Sequence, residues 1–252
     1  MKFLVFVSAL ALFIACSDSP DAPSGSLPIV QNCRILEAEC KGDTVKIAWD
    51  AVNVDVDGYR IWFASTDPGD WTIISQVEGT VTEHVATSTG YYCVDAIEGI
   101  DSSEDQSNKA NNRAEMYLLS DTLTIGGNNG IKFEEAQPVI GDAAEADFAQ
   151  DLFIAKSGDT ILMYRGNSEP ATYPSGTNSL MAVASGQVAP GVGDGAWKNS
   201  IALQNTSDYF VQLENGDFAY FNVDTVAANF VVLGQTQYQS IPGVRLFNPF
   251  IF

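Results

Sequence analysis

The sequence has one histidine, His84, and no Cys-x-x-Cys pair. The first absence removes a histidine metal cluster and a paired-histidine acid–base site. The second removes a redox-active dithiol and a structural zinc site. Positive charge is scarce: 12 Lys and Arg stand against 32 Asp and Glu, a formal net charge of −20. The acids are not confined to one tail, because residues 16–112 carry 17 acids and 5 bases and residues 113–252 carry 15 and 6. A negative field over both halves repels nucleic acid and anionic lipid headgroups, which argues against either as a partner. It also suits salt-rich surroundings, where screening shortens the self-repulsion. Helical patterning is nearly absent. Ala143–Gln150, with acids early in the segment, is the one short helix expected.

The N-terminus departs from this polar character. Lys2 supplies one positive charge, Phe3–Ile14 is an apolar run, and Ala15 precedes Cys16. The run falls short of the roughly 20 apolar residues a membrane helix needs. Phe13-Ile14-Ala15-Cys16 is similar to a lipobox, and residues 1–15 resemble a bacterial lipoprotein signal peptide. The resemblance implies cleavage before Cys16 and attachment to the lipid bilayer through acyl chains on that residue. Residues 16–28 are rich in Ser, Asp, Pro and Gly and have little to bury, as expected of a tether. Ser17, not Asp, follows the cysteine; in the sorting pattern this tether resembles, that favours the outer membrane.

With Cys16 assigned to lipid, three thiols remain: Cys33, Cys40 and Cys93. An exported compartment permits one disulfide among them and leaves one thiol over. Strand alternation points Cys93 outward, making it a candidate surface staple to Cys33 or Cys40; a 33–40 bridge across a turn is the third choice.

Residues 29–110 read as strands and turns. Val45, Ile47 and Trp49 alternate with Lys46 and Ala48, Asp57-Gly58 marks a turn, and Tyr59–Phe63, Trp71–Val77, Val81–Ala86 and Tyr91–Ile97 follow as short strands. Six or seven short strands in this span spell a β-sandwich. The segments Val45-x-Ile47-x-Trp49, Gly58-Tyr59-x-Ile61 and Tyr92-x-Val94-x-Ala96, closed by a polar stretch ending at Ser107, resemble a fibronectin type III domain. That resemblance implies a buried Trp49, a spacer or binding role, and no catalysis in this part. Residues 108–115 are polar and form the expected junction.

Residues 116–252 are again strand-rich, so the fold class expected is all-β, a fibronectin type III-like sandwich followed by a second β-rich, sandwich-like domain. Thr160–Tyr164 pairs with Leu152–Ala155 as a hairpin candidate, and Asn215-Gly216 makes the clearest turn, between Tyr209–Val211 and Phe218–Phe221. Residues 165–178 and 186–195 are loops, and Phe230–Leu233 adds a strand. This half resembles the β-rich C-terminal parts of exported lipoproteins, some of them haem scavengers. Haem iron needs His, Cys, Met or Tyr ligands; no residue here is marked as one, so no cofactor is expected. The apolar end, Val244–Phe252, is expected to dock along the second domain.

Catalytic signatures are thin. There is no Gly-x-Ser-x-Gly elbow. Asn53-x-Asp55-x-Asp57-Gly58 begins like a calcium loop, but the position-twelve slot falls on Ala64 or Thr66. The acids Glu134, Glu135, Asp142, Glu145, Asp147 and Asp151 could supply a glycosidase pair only with one in an apolar setting. Trp62, Trp71 and Trp197 are candidates to stack on a ligand such as a glycan. No catalytic, cofactor or metal residue is named. The leading expectation is adhesion or ligand binding at the cell envelope, to a glycan or an envelope protein, with the specific role in the second domain. A carbohydrate-active enzyme and a structural envelope component are the alternatives.

Overall fold

The computed structural model describes residues 27–134, 137–168, 173 and 176–248, with the side chains of 117–120 left aside. The leader, Cys16, most of the tether, Glu135 and the terminal Phe252 lie outside the described residues.

The first sandwich is built from β1 (Gln31–Ile35), β2 (Val45–Asp50), β3 (Gly58–Ala64), β4 (Thr72–Glu78), β5 (Glu83–Ala86), β6 (Tyr91–Glu98), β7 (Asp101–Ser102) and β8 (Ala110–Asn111). One sheet runs β1-β2-β5; the other runs β4-β3-β6-β7, with β8 also on β6. Side chains alternate across each strand. Ile47 and Trp49 from one sheet therefore meet Tyr59, Ile61, Tyr92, Val94 and Ala96 from the other in one buried cluster. Trp49 packs edge-on to Tyr59 with ring centroids 5.6 Å apart. The strand order, the buried tryptophan and the polar closing segment make this a fibronectin type III-like sandwich. The polar segment closes it through Ser103 and Ser107, whose hydroxyls accept from the Ala96 and Val94 amides at 3.1 and 2.9 Å.

The second sandwich holds β9 (Glu115–Thr124), β10 (Gly130–Lys132), β11 (Val139–Gly141), β12 (Leu152–Ser157), β13 (Thr160–Arg165), β14 (Leu180–Val183), β15 (Ser200–Ala202), β16 (Ser207–Gln212), β17 (Phe218–Val226) and β18 (Phe230–Gln239). Two five-stranded antiparallel sheets, β11-β10-β12-β13-β15 and β14-β16-β17-β18-β9, face each other. Their inner faces bury Leu152, Ile154, Met163, Val211, Phe221 and Leu233, among others. The chain is thus all-β in both parts. The β16–β17 hairpin turns at Gly216, whose φ of +93° a side chain would strain. The helix expected over Ala143–Gln150 does not form. That segment is a string of turns that lays Phe148 against Gly130 and Gly141, within 3 Å of where a Cβ would stand on either. The segment is too short to hold a helix by local propensity alone, and the packing of Phe148 on the two glycines takes precedence.

Both outer faces of the second sandwich are covered by the chain itself. Ala189, Trp197 and Phe247 cap Phe210, Phe218 and Tyr220 on one side. Ala143 and Tyr173 cap Phe153 and Tyr164 on the other.

The C-terminal segment does not dock along the second domain alone. Ile241, Val244 and Leu246 pack against Cys40 and Val45 of the first sandwich. The Gly42 amide donates to Gly243 O (2.9 Å) and the Arg245 amide donates back to Gly42 O (2.7 Å). Thr89 Oγ1 donates to Phe247 O at 3.1 Å. On its other side the segment is held by Phe247 N to Gln187 O (2.8 Å) and by Gln239 Nε2 to Leu246 O (2.7 Å). The last described residues therefore fasten the two sandwiches together.

Candidate functional site

The outward face of the β4-β3-β6 layer gathers most of the residues with recognition chemistry. Because Tyr59 and Ile61 point into the core, Arg60 and Trp62 point out. The β3–β6 register sets Arg60 opposite Asp95 and Trp62 opposite Cys93. Asp95 is buried and accepts from both neighbours: the Arg60 guanidinium grips it with Nε and a terminal nitrogen, and Trp62 Nε1 donates at 2.8 Å. The Arg60 guanidinium also lies over the Trp62 ring, 5.4 Å from its centroid. The same theme recurs twice along this face. Lys109 Nζ stands 5.6 Å from the Trp71 ring centre while pairing with Asp67 at 2.6 Å. Arg113 stands 5.7 Å from the Tyr91 ring and donates to Ser65 O at 3.1 Å. Exposed Ile73 adds apolar surface directly opposite Trp62.

Two of the three tryptophan candidates, Trp62 and Trp71, are therefore both on this part of the first sandwich and half-buried. Trp197 is not with them and is not presented for stacking. It is 8% exposed, packs on Phe218 and donates Nε1 to Gly191 O at 2.8 Å. The glycine-rich loop before it folds back over it, which position in the sequence alone did not reveal. The cation partners, Arg60, Lys109 and Arg113, carried no sequence signal beyond their rarity.

The three thiols are free. Cys33 belongs to the first core, Cys40 lies against the C-terminal segment, and Cys93 faces away from the core on β6. The three are unbridged, although the Cys33 thiol lies near enough to Cys93 to act on it electrostatically. Cys93 is outward by parity, yet it is buried: its thiol donates to Gln106 Oε1 at 3.0 Å. Burial, with the Cys33 thiol and Asp95 nearby, pushes its pKa up to about 12. Burial also raises Cys33 and Cys40. None is a ready nucleophile at neutral pH.

The remaining candidates scatter. His84 is half-buried on β5, and burial lowers its pKa. Asp57 Oδ2 accepts from the Gly99 amide at 2.7 Å, so it braces a turn. No group of three or more metal-ligating side chains occurs among the described residues. Of the acids in the second half, Glu134, Glu145 and Asp147 are exposed, Asp142 is half-buried, and only Asp151 is buried. Its carboxylate accepts from the Phe133 amide (2.8 Å), Thr177 Oγ1 (2.9 Å) and Ser179 Oγ (3.1 Å). Burial raises its pKa against the opposing pull of those hydrogen bonds.

Neither a family model nor a curated relative matches the chain. Among solved structures it is similar to an Fn3-like protein from Clostridium thermocellum, at 20% identity over 34% of this chain and 91% of that one, with a TM-score of 0.29. It is also similar to a two-domain fibronectin type III segment of chicken tenascin, at 7% identity over 82% and 98% of the two chains, with a TM-score of 0.29. The fibronectin type III-like description of the first sandwich rests on its own strand order and core.

Proposed function

We propose that the protein is a non-catalytic binding module of the cell envelope, tethered to the outer membrane by lipid on Cys16, and that it recognises a protein partner through the outward β4-β3-β6 face. The observation that carries this reading is the set of ring–cation pairs, Trp62–Arg60, Trp71–Lys109 and Tyr91–Arg113. Tryptophan, tyrosine and arginine dominate the energetics of protein–protein contacts. A cation over one face of each ring also removes a surface on which a pyranose would stack, so the arrangement favours a protein over a glycan. The lipid anchor follows from the lipobox-like Phe13-Ile14-Ala15-Cys16.

The test compares the wild type with Trp62→Ala and Arg60→Gln variants for retention of envelope proteins and of a glycan array. Protein retention lost in both variants, with the array blank, supports the reading. Retention of sugar, equal in wild type and variants, overturns it. Hydrolysis of a retained sugar would establish the carbohydrate-active alternative. For the anchor, incorporation of a labelled fatty acid should vanish in Cys16→Ala; a label that persists removes it.

A further inference from the structure

The chain contains two Asn-Gly pairs, Asn129-Gly130 and Asn215-Gly216. Such a pair can react with itself, because glycine has no side chain to shield its backbone nitrogen from the asparagine amide. The two pairs are held in opposite ways. Asn129 is 5% exposed. Its Nδ2 donates to Ile154 O at 3.3 Å and to the Tyr173 hydroxyl at 3.0 Å, and its Oδ1 accepts from the Ala143 amide at 3.1 Å. Gly130 lies in β10, where a Cβ would stand 2.8 Å from Phe148, 3.2 Å from Gln150 and 3.3 Å from Ala143. That pair has no space in which to close a ring.

Asn215 and Gly216 stand exposed at the tip of the β16–β17 hairpin. Nothing lies within 4 Å of the point where a Cβ on Gly216 would stand. The Gly216 N–H donates to Leu213 O at 3.0 Å, a bond that local opening of the tip breaks without touching the core. The Asn215 side chain is also prepared electronically. Its Oδ1 accepts from the Asp217 amide at 3.0 Å, which steadies negative charge gathering on that oxygen. Its Nδ2 donates to Asp217 Oδ2 at 2.7 Å, so a carboxylate lies beside the nitrogen that must leave.

We infer that Asn215 is a site of self-deamidation and that Asn129 is not. The Gly216 nitrogen bonds to Asn215 Cγ and gives up its proton. The Cγ–Nδ2 bond breaks, and the side-chain nitrogen takes up that proton, relayed by Asp217 or water, and departs as ammonia. Water then opens the succinimide at either carbonyl and leaves aspartate or isoaspartate at position 215; nothing is oxidised or reduced. The product places a third carboxylate between Glu214 and Asp217 and removes the donor to Asp217 Oδ2. In the isoaspartate form the main chain also gains a methylene inside the turn that sets the β16–β17 pairing. The inference does not depend on the ring–cation face and stands or falls separately.

The experiment incubates the whole protein in mildly alkaline buffer, native and in urea, and follows both sites by protease digestion and mass spectrometry. In the native protein, conversion of amide to acid at 215 should outrun that at 129 by about tenfold or more, a ratio that a modest difference in local opening supplies. In urea the two sites should react at similar rates, because the surroundings that separate them are gone. Asn215→Gln, whose longer side chain closes a larger ring more slowly, should stay unmodified at that position, and its exposed place on the tip lets the variant keep its fold. Native conversion at 215 no faster than at 129, conversion at 215 confined to urea, or conversion undiminished in Asn215→Gln would each overturn the inference.

Discussion

The two sandwiches solve the same covering problem in opposite ways. A two-sheet sandwich buries its inner faces and leaves two outer ones. The second sandwich seals both of its outer faces with its own loops, placing Trp197, Ala189 and Phe247 over one and Ala143 and Tyr173 over the other. The first leaves an outer face open and stocks it with Trp62, Arg60, Trp71, Lys109 and Ile73. Among the described side chains of the second sandwich, Phe230 at the start of β18 is the one aromatic left exposed. The sequence-based expectation put the specific role in the second domain; the function proposed above puts it on the open face of the first.

The largest predicted effect strikes the fastening between them. Phe247 is fully buried against Phe210 and Tyr220, with ring centroids 5.3 and 6.3 Å away, and its carbonyl accepts from Thr89. Phe247→Ala should cost about 3–5 kcal/mol, the range for truncating a buried phenylalanine. In urea denaturation followed by tryptophan fluorescence, one transition should split into two as the domains uncouple. A single transition shifted by less than about 1 kcal/mol would show that the C-terminal segment only rests on the surface.

A smaller effect is expected on the open face. Asp95 is the buried acceptor that holds Arg60 and Trp62 in place. Asp95→Ala should destabilise by about 2 kcal/mol, since it removes charge-assisted hydrogen bonds and leaves their donors unmatched. It should also abolish partner binding, because both side chains lose their fixed orientation. If partner binding survives the substitution while stability falls, the Arg60–Trp62 pair is structural and the reading of this face fails. On the thiols, dithiothreitol should leave the thermal midpoint unchanged, since Cys33, Cys40 and Cys93 are free. A fall of several degrees would reveal a bridge, because a disulfide typically contributes about 2–4 kcal/mol.

Strands that alternate over five or more residues were legible in the sequence: β2, β3, β6 and the β16–β17 hairpin all stand where their patterns placed them. Short strands were not. β14 and β15 are four and three residues long, and pairing with β16 and β13, not local pattern, makes them strands. β18 runs on to Gln239, well past the apolar Phe230–Leu233. Gln237 and Gln239 there are polar, yet both are buried and hydrogen-bonded to the C-terminal segment through Asn248 N, Ile241 N and Leu246 O. Tertiary partners take the Gln237 side-chain carbonyl and both ends of the Gln239 amide, while Gln237 Nε2 is buried without a partner among the described residues; no local window contains those partners. The same holds for the candidate face. Parity predicted that Trp62 points outward, but Lys109 reaches the Trp71 ring from 38 positions along the chain. Trp197 misled because its loop's return over it is likewise non-local.

The smallest effects are on acid stability, where the two domains should respond with opposite sign. His84 in the first has its pKa lowered by burial from its usual 6.5. The folded state therefore binds this proton less readily than the unfolded chain, and His84's contribution, whole above pH 6.5, is lost as pH falls through its folded pKa. Asp151 in the second has its pKa raised above 3.8, so the folded state binds that proton more readily. Its contribution turns favourable as pH falls through the folded value toward 3.8. In a series of urea midpoints from pH 7.5 to about 4, His84→Gln should flatten the decline that begins near pH 6.5, while Asp151→Asn should remove an acid-side gain. With the domains uncoupled by Phe247→Ala, the two slopes should separate, one onto each transition. If His84→Gln instead steepens the decline, the imidazole is held by a charge partner and not merely by burial, and the contrast between the domains disappears at this level.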